Sequence, residues 1–315
     1  MPHLQMTERL QIETLLNAGS KPSAIAKQLS RNRSTISREI NRNTEAGKYC
    51  HDAAQKCANE RRCNAKESVL TEDNWTTVRA FLQQKWSPEQ ISGWLKAHPE
   101  IGFCVSDQWI YAYIYANRDQ GGTLYQHLRR AGKPYKKGGK KVYRGKIKDR
   151  VDISVRPDII NKRIRLGDWE VDSVIGRMNQ SSIVTIVERL SRYTAIIKVN
   201  SKESDTVSQA IIHRMTAAAL PLHSMTGDNG TEFSEHKKIS ESLGIDFYFT
   251  HPYSSWEKGT NENTNGLIRQ YFPKGTDFGS ITESMLSEVE TALNNRPRKC
   301  LSYKTPHEVL NNRSI

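Results

Sequence analysis

Three carboxylates in the second half of this chain stand where a metal-dependent reaction could use them. They are Asp172 in "GDWEVDSVIG", Asp228 in "TGDNGTEF" and Glu262 in "WEKGTNENTNGLIRQYFPKG". Carboxylates gathered within a few ångströms repel one another unless they are protonated or neutralised by cations. Mg²⁺ suits such a set, because it takes oxygen ligands, keeps several waters and binds few carboxylates at once. Two such ions about 4 Å apart can activate an attacking oxygen and stabilise a leaving one at a phosphodiester.

Acidic triplets also arise by chance, so the local context carries the argument. Asp228 lies in an Asn-Gly turn that a polyanion can approach, although a plain Asx turn has the same residues. Asp168, Glu170 and Asp172 alternate along one segment and share one face of a strand. Such an acidic face is costly unless its members bind metal or meet water, and Asp168 is expected to be solvent-exposed. On a helix, Glu262, Asn265, Gly266 and Arg269 fall on one face. They read as a metal ligand followed by a stripe that contacts nucleic acid, with Leu267, Ile268, Tyr271 and Phe272 left for the core. Glu257 lies off that face and is expected to cap or pair locally.

The elements needed to position these groups are legible from periodicity. "DWEVDSVIG", "SSIVTIVERL" and "YTAIIKVNS" are short β-branched runs that predict a three-stranded meander. A helix over about 204–219 follows, then a strand ending in the Gly-rich turn of "LHSMTGDNG". The helix "SEHKKISESLG", the strand "IDFYFT" and two more helices complete the series. That order is the order of a ribonuclease-H-like α/β domain. In it strands one and four are neighbours, so Asp172 and Asp228 face each other and the later helix brings Glu262 alongside.

The first half differs in charge. The chain has 315 residues and a net charge of +13. Residues 1–150 hold 27 Lys and Arg against 14 Asp and Glu, whereas residues 151–315 hold 20 of each. All the excess lies in the first half, the footprint of a polyanion-binding region. Leu10, Ile12, Leu15 and Leu16 predict a first helix capped near Thr7 and stopped at Gly19. "SKPSAIAKQLS" and "RNRSTISREINRN" predict two further short helices, the second capped near Ser34, in a helix-turn-helix. In that helix Arg33, Ser34, Thr35, Ser37 and Arg38 are placed for base edges, and Arg31 and Arg42 for phosphates.

"SPEQISGWLKAHPEIGFCVSDQWIYAYIYAN" repeats the helix-turn-helix pattern more weakly, since Trp109 and Tyr111 also suit a core. Residues 129–150 then carry eleven Lys or Arg and a single acid, Asp149, among Gly and Pro. They read as a basic linker that follows a phosphate backbone. The expected division is therefore 1–48, a helix-turn-helix domain; 49–128, a second helical DNA-binding domain; 129–160, the linker; and 161–315, the catalytic domain. The fold class is multi-domain, all-α helix-turn-helix modules followed by an α/β ribonuclease-H-like domain. Cys50, His51, Cys57 and Cys63 lack the close pair of a structural zinc site, so zinc is not expected. The five cysteines have no paired spacing, no apolar run approaches a membrane span, and the first residues lack the pattern of a secretion signal. A reducing, cytoplasmic setting is expected.

Several long stretches then carry a resemblance. "GDWEVDSVIG", "TGDNGTEF", "HPYSSWEKGTNENTNGLIRQYFPKGTDF" and "LNNRPRKCLSYKTPHEVL" closely resemble bacterial insertion-sequence transposases of the IS-thirty family. "IAKQLSRNRSTISREINRN" is similar to their helix-turn-helix, and the resemblance covers nearly the whole chain. It implies a DDE transposase whose triad maps onto Asp172, Asp228 and Glu262. It also implies binding of double-stranded DNA at terminal inverted repeats and target, and movement through a circular intermediate. Two Mg²⁺ ions are the expected cofactors, with Mn²⁺ as a substitute, and a homodimer or larger assembly is expected because two ends must meet. Val171 stands where the family pattern has glycine, and strand alternation directs it away from the acidic face.

The site so read lets one metal activate water to free a 3′-hydroxyl, which then attacks a second phosphodiester in line. Trp256 stacks on a displaced base or packs in the core, and His251 is a turn residue. Asn265 belongs to the DNA-contacting stripe, and Arg269, Lys274, Arg296 and Arg298 contact DNA near the cut or form solvated surface charge. The competing readings are a sequence-specific repressor with a non-catalytic α/β half and a ribonuclease-H-like nuclease.

Overall fold

The computed structural model describes residues 3–45, 47–64, 70–131, 147–177, 181–252 and 254–312. The chain divides into two compact units, Met1–Asp73 and Asn74–Ile315. Among the described residues no helix is long and apolar enough to cross a membrane.

The first unit contains α1 (Met6–Asn17), α2 (Pro22–Gln28), α3 (Arg33–Asn43), a two-residue hairpin β1 (Thr44–Glu45) and β2 (Lys48–Tyr49), and α4 (His51–Asn64). The helices begin slightly earlier than their sequence signals imply. Gln5 rather than Thr7 caps α1, and the Asn32 side chain caps α3 by accepting from the Ser34 N–H. Ile12, Ile25, Ala26 and Ile36 meet Leu4, Tyr49 and Ala54 in a small core. Leu10 points outward, so the apolar stripe of α1 is narrower than its leucines imply. Arg9 is buried and held by Glu39 at 2.7 Å and the Leu4 carbonyl at 2.7 Å. Helix α4 packs back on α1, so this unit extends past residue 48.

Glu13, Cys50 and His51 form, among the described residues, the one set of three acidic, cysteine or histidine ligand atoms within 4.8 Å of one another. Glu13 is already engaged there by the His51 N–H at 2.7 Å and the His51 ring at 2.5 Å. Cys57 adds nothing to that set, and the Cys63 side chain lies outside the described residues.

The division falls in the first turn of α5 (Glu72–Gln83), and the second unit continues with α6 (Pro88–Ala97) and α7 (Asp107–Asp119). Ser87 and Ser106 cap α6 and α7, as the sequence places them. Ile91, Leu95, Ile110 and Ile114 are buried, and Trp75 stacks on Tyr113 with centroids 4.0 Å apart. Trp109 and Tyr111 are exposed on α7, which removes the core reading for both. These helices dock on the C-terminal part of the same unit. Gln90 donates to the Pro297 carbonyl at 2.7 Å. At Gly93 an added Cβ would lie 2.1 Å from the Tyr303 ring, so only glycine allows that approach.

A six-stranded sheet follows, built from β3 (Val151–Asp152), β4 (Asp168–Ile175), β5 (Ser182–Glu188), β6 (Thr194–Val199), β7 (Ser224–Gly227) and β8 (Asp246–Phe249). Its order is β3-β8-β7-β4-β5-β6, with β4, β5 and β6 as the antiparallel meander. β4 and β7 run parallel as neighbours, the arrangement expected for strands one and four. The edge strand β3 and the start of the short helix α8 (Asp158–Lys162) fall within the span expected as linker. Residues 132–146 of that span lie outside the described residues.

Strand alternation sends Trp169, Val171, Val184, Ile186 and Met225 to one face of the sheet. There they pack with α9 (Ser204–Ala218) and α10 (His236–Leu243) through Val207, Ile211, Met215 and Ile239. Val171 thus points away from the acidic side chains, as expected. Val174, Ile183 and Ile196 go to the other face and meet α11 (Gly259–Tyr271) and α12 (Glu283–Asn294). Leu267, Ile268 and Phe272 are buried in that layer with Tyr271 packed against it. The chain ends in α13 (Pro306–Asn311). The even-numbered carboxylates of β4 therefore face the layer that contains α11.

Candidate active site

Asp168, Glu170 and Asp172 share the α11 face of β4 but have different partners. Asp168 is buried, not solvent-exposed as its sequence position implied. Arg165 holds it at 2.9 Å, and the Ser224 hydroxyl donates to it at 2.7 Å. Glu170 is fully buried, with Arg189 at 2.6 Å and the Asn261 N–H at 3.2 Å. The acidic density of the strand is thus mostly neutralised inside the fold.

Asp172 is the member that reaches partial exposure, with 23% of its side chain accessible. Asn265 donates to its Oδ2 at 2.7 Å, and Thr185 in turn donates to the Asn265 Oδ1 at 3.1 Å. The Thr185–Asn265 contact fixes which end of the amide faces the carboxylate, so Asn265 positions Asp172. Asp228 follows the last residue of β7, the strand beside β4. The Gly230 N–H donates to its Oδ1 at 3.0 Å, so the Asx turn forms and leaves Oδ2 toward the site.

Between the two aspartates stands the ammonium of Lys258. Its Nζ lies 3.0 Å from Asp172 Oδ1 and 3.9 Å from Asp228 Oδ2, and it donates to the Val171 carbonyl at 3.1 Å. Lys258 is buried, so its charge is well shielded from water. It is the N-cap residue of α11, one turn before Glu262. Glu262 itself is exposed. The structure brings Asp172 and Asp228 to one cation, while the three carboxylates do not converge within 4.8 Å. An ammonium shared by both aspartates is a direct sign that the pair accommodates positive charge. The all-oxygen donor set fits a hard divalent ion.

Around this centre, Arg269 donates to the Ile175 carbonyl at 2.8 Å and lies over the Phe278 ring. Trp256 is 73% exposed, so it is not part of the core. Glu257 pairs locally, as expected, with the ring of His251 at 2.6 Å. His251 also reaches Asp152 at 3.1 Å and is more than a turn residue, linking the lead-in of α11 to the edge strand β3. Lys274 is exposed, whereas Arg296 and Arg298 are buried, which rules out surface charge for those two. Lys258 was not singled out by sequence reasoning. The signal available was its place four residues before Glu262, which puts both on one helical face.

In the first unit Arg33, Ser34, Arg38 and Arg42 are exposed on α3, and Thr35 and Ser37 are half-buried. The Ser34 hydroxyl is tied to Asn32 at 2.9 Å. Arg31 is clamped by Glu8 at 2.7 Å, an intramolecular partner in place of a phosphate.

Two family models match the chain, a helix-turn-helix domain over residues 1–43 and an integrase core domain over residues 163–255. The chain is 39% identical to the transposase for insertion sequence element IS4351 of Bacteroides fragilis, over 99% of this chain and 98% of that one. It is 40% identical to the transposase InsI for insertion sequence element IS30A of Escherichia coli K12, over 98% of this chain and 83% of that one. The chain belongs to the IS-thirty family of insertion-sequence transposases. A putative integrase of Spiroplasma virus SpV1-R8A2 B is 30% identical over 98% of both chains. The helix-turn-helix match of the transposase ends at the last residue of α3, and its integrase-core match begins just before β4. The match ends before α11, so Glu262 and Lys258 lie beyond the integrase-core match.

Proposed function

We propose that this transposase cleaves DNA at the ends of its insertion sequence and joins them to target DNA through a divalent-metal site of Asp172, Asp228 and Glu262. The observation that carries the proposal is the Lys258 ammonium shared by Asp172, within β4, and Asp228, just past the end of the adjacent parallel strand β7. Asp172, Asp228 and Glu262 would hold Mg²⁺, which supplies activation of the attacking oxygen and stabilisation of the leaving oxygen. Asn265 keeps Asp172 in position through its contact with Thr185. Gly230 does the same for Asp228 through its N–H. Release of a 3′-hydroxyl by water and its in-line attack on a second phosphodiester need no covalent enzyme intermediate, and a circular DNA intermediate is consistent with that order.

On this reading α3 reads the terminal repeats with Arg33, Ser34, Thr35, Ser37 and Arg38, and Arg42 contacts phosphate. The exposed Trp256 offers a stacking face for a displaced base. Two ends act together, so a dimer or larger assembly is the working form, and the chain acts in the bacterial cytoplasm. The test is strand cleavage and joining on a labelled element-end duplex with Mg²⁺, comparing wild type with Glu262→Gln. The proposal predicts both reactions in wild type and neither in the variant, with DNA binding retained. Equal activity in both would remove Glu262 from the site, and tight binding without activity in either would favour a repressor.

A further inference from the structure

Arg296 and Arg298 follow α12 and are buried, 2% and 7% exposed. Their hydrogen-bond acceptors are all neutral. Arg296 donates to Gln90 and to Gln270, each at 2.8 Å, and Arg298 donates to the Leu293 carbonyl at 2.9 Å. Among the described residues neither has a carboxylate partner within 4.0 Å. Burial, then their mutual repulsion, lowers Arg296 to about 9, and burial lowers Arg298 to about 10; Arg129 adds to the repulsion on both. Buried charges are ordinarily paired, as Arg189 is with Glu170 and Arg9 with Glu39.

The same neighbourhood has donors without acceptors. Among the described residues, Arg298 Nε, Gln270 Nε2 and Tyr271 OH are buried without hydrogen-bond partners. Arg129 forms the exposed lip of this region, donating to Asn263 Oδ1 at 3.0 Å. Its guanidinium crosses the catalytic helix at Gly266, where an added Cβ would stand 2.1 Å from Arg129 Nη2. Asn263, Gly266 and Gln270 are spaced i, i+3 and i+7 along α11. That row lies one residue round the helix from the row of Glu262, Asn265 and Arg269. Downstream of Arg129, the sequence of 132–146 contains Lys and Arg but no Asp or Glu.

We infer that Arg129, Arg296 and Arg298, with Gln270 and Tyr271, form a cradle for one DNA backbone phosphate beside the cleavage site. A phosphodiester brings the missing negative charge and the missing oxygen acceptors together. Its place on the row next to Glu262 registers the duplex against the carboxylates without contacting the reacting atoms, so these are positioning residues. The inference rests on the reading of the chain as a DNA strand-transferring enzyme.

The experiment is the salt dependence of binding of the full chain to its element-end duplex, for wild type, Arg129→Gln, Arg129→Lys and Lys238→Gln. Loss of one phosphate contact lowers the slope of log K against log salt by about 0.9. The expected result is that reduction in Arg129→Gln, with the wild-type slope in Arg129→Lys and in Lys238→Gln, whose lysine pairs with Asp205 elsewhere on the surface. Arg129 is exposed, so its variants fold. Thermal denaturation with inorganic phosphate against chloride at equal ionic strength reports on the anion alone, and Arg129→Gln should lose any phosphate stabilisation. Phosphate stabilisation with an unchanged DNA slope in Arg129→Gln would identify a free-anion site and overturn the inference. Wild-type binding and strand joining with an unchanged slope would overturn it too and leave the proposed function standing. Absence of wild-type DNA binding would remove both.

Discussion

Glu170 and Asp172 stand two residues apart on one face of one strand, yet the fold treats them oppositely. Glu170 is fully buried and locked by a buried arginine and a backbone N–H. Asp172 is about a quarter exposed and is held by a lysine it shares with Asp228 and by an asparagine amide. The same side-chain chemistry thus has a structural role in one place and an available one in the other. Both counter-cations are buried, and what separates the two carboxylates is that Glu170 is fully enclosed whereas Asp172 keeps part of its side chain accessible.

That contrast is sharpest in stability. Arg189→Ala strips Glu170 of its counter-charge inside the core and should cost about 3–5 kcal/mol, read as a fall in the denaturant midpoint. A midpoint close to wild type would mean that the two carboxylates are not differently held. Asp172→Asn should do the reverse. Strand cleavage should drop on the order of 10³-fold, while the denaturant midpoint should fall less than in Arg189→Ala, because Asp228 stays beside Lys258 and Asp172 is partly exposed. Cleavage near the wild-type rate would take Asp172 out of the chemistry.

Lys258→Met is expected to have a smaller effect, and it probes the shared cation directly. With the competing ammonium gone, half-maximal cleavage should need several-fold less Mg²⁺. An unchanged Mg²⁺ requirement would show that Lys258 does not occupy the cation position. The smallest effect concerns His251. Its ring pKa is raised above the ordinary 6.5, chiefly by the hydrogen bond to Glu257. A raised value in the folded state means that this stabilisation is fully present below pH 6.5. It is lost as the pH climbs through the raised value. His251→Gln should flatten the melting temperature across that window, and a parallel curve displaced at all pH values would deny the linkage.

Much of this arrangement is legible in the sequence because it follows from simple periods. Alternation in "DWEVDSVIG" places Asp172 opposite Val171, and β-branched runs fix the meander that sets β4 beside β5. The i, i+3, i+7 row from Glu262 correctly separates Asn265 and Arg269 from the apolar Leu267 and Ile268. Most partners of the carboxylates are not legible, because they come from distant chain. Arg189 lies across a strand turn from Glu170 and Ser224 reaches Asp168 from another strand, while Arg165, three residues before Asp168, is the one local signal of neutralisation. Lys258 is hidden for a related reason, since a lysine between a glutamate and a glycine reads as surface until the helix is docked. The docking of α6 by Gly93 on Tyr303 joins residues more than two hundred apart, and no pattern within "SPEQISGWLKAH" announces it.

The most direct measurement is Mn²⁺ binding by electron paramagnetic resonance to wild type, Asp172→Asn and Glu13→Gln, the last removing the acidic ligand of the separate Glu13, Cys50 and His51 set. Wild type should bind Mn²⁺, Asp172→Asn should lose it and Glu13→Gln should retain it. Equal binding in wild type and Asp172→Asn would contradict the assignment of the metal to Asp172 of β4 and Asp228 after β7.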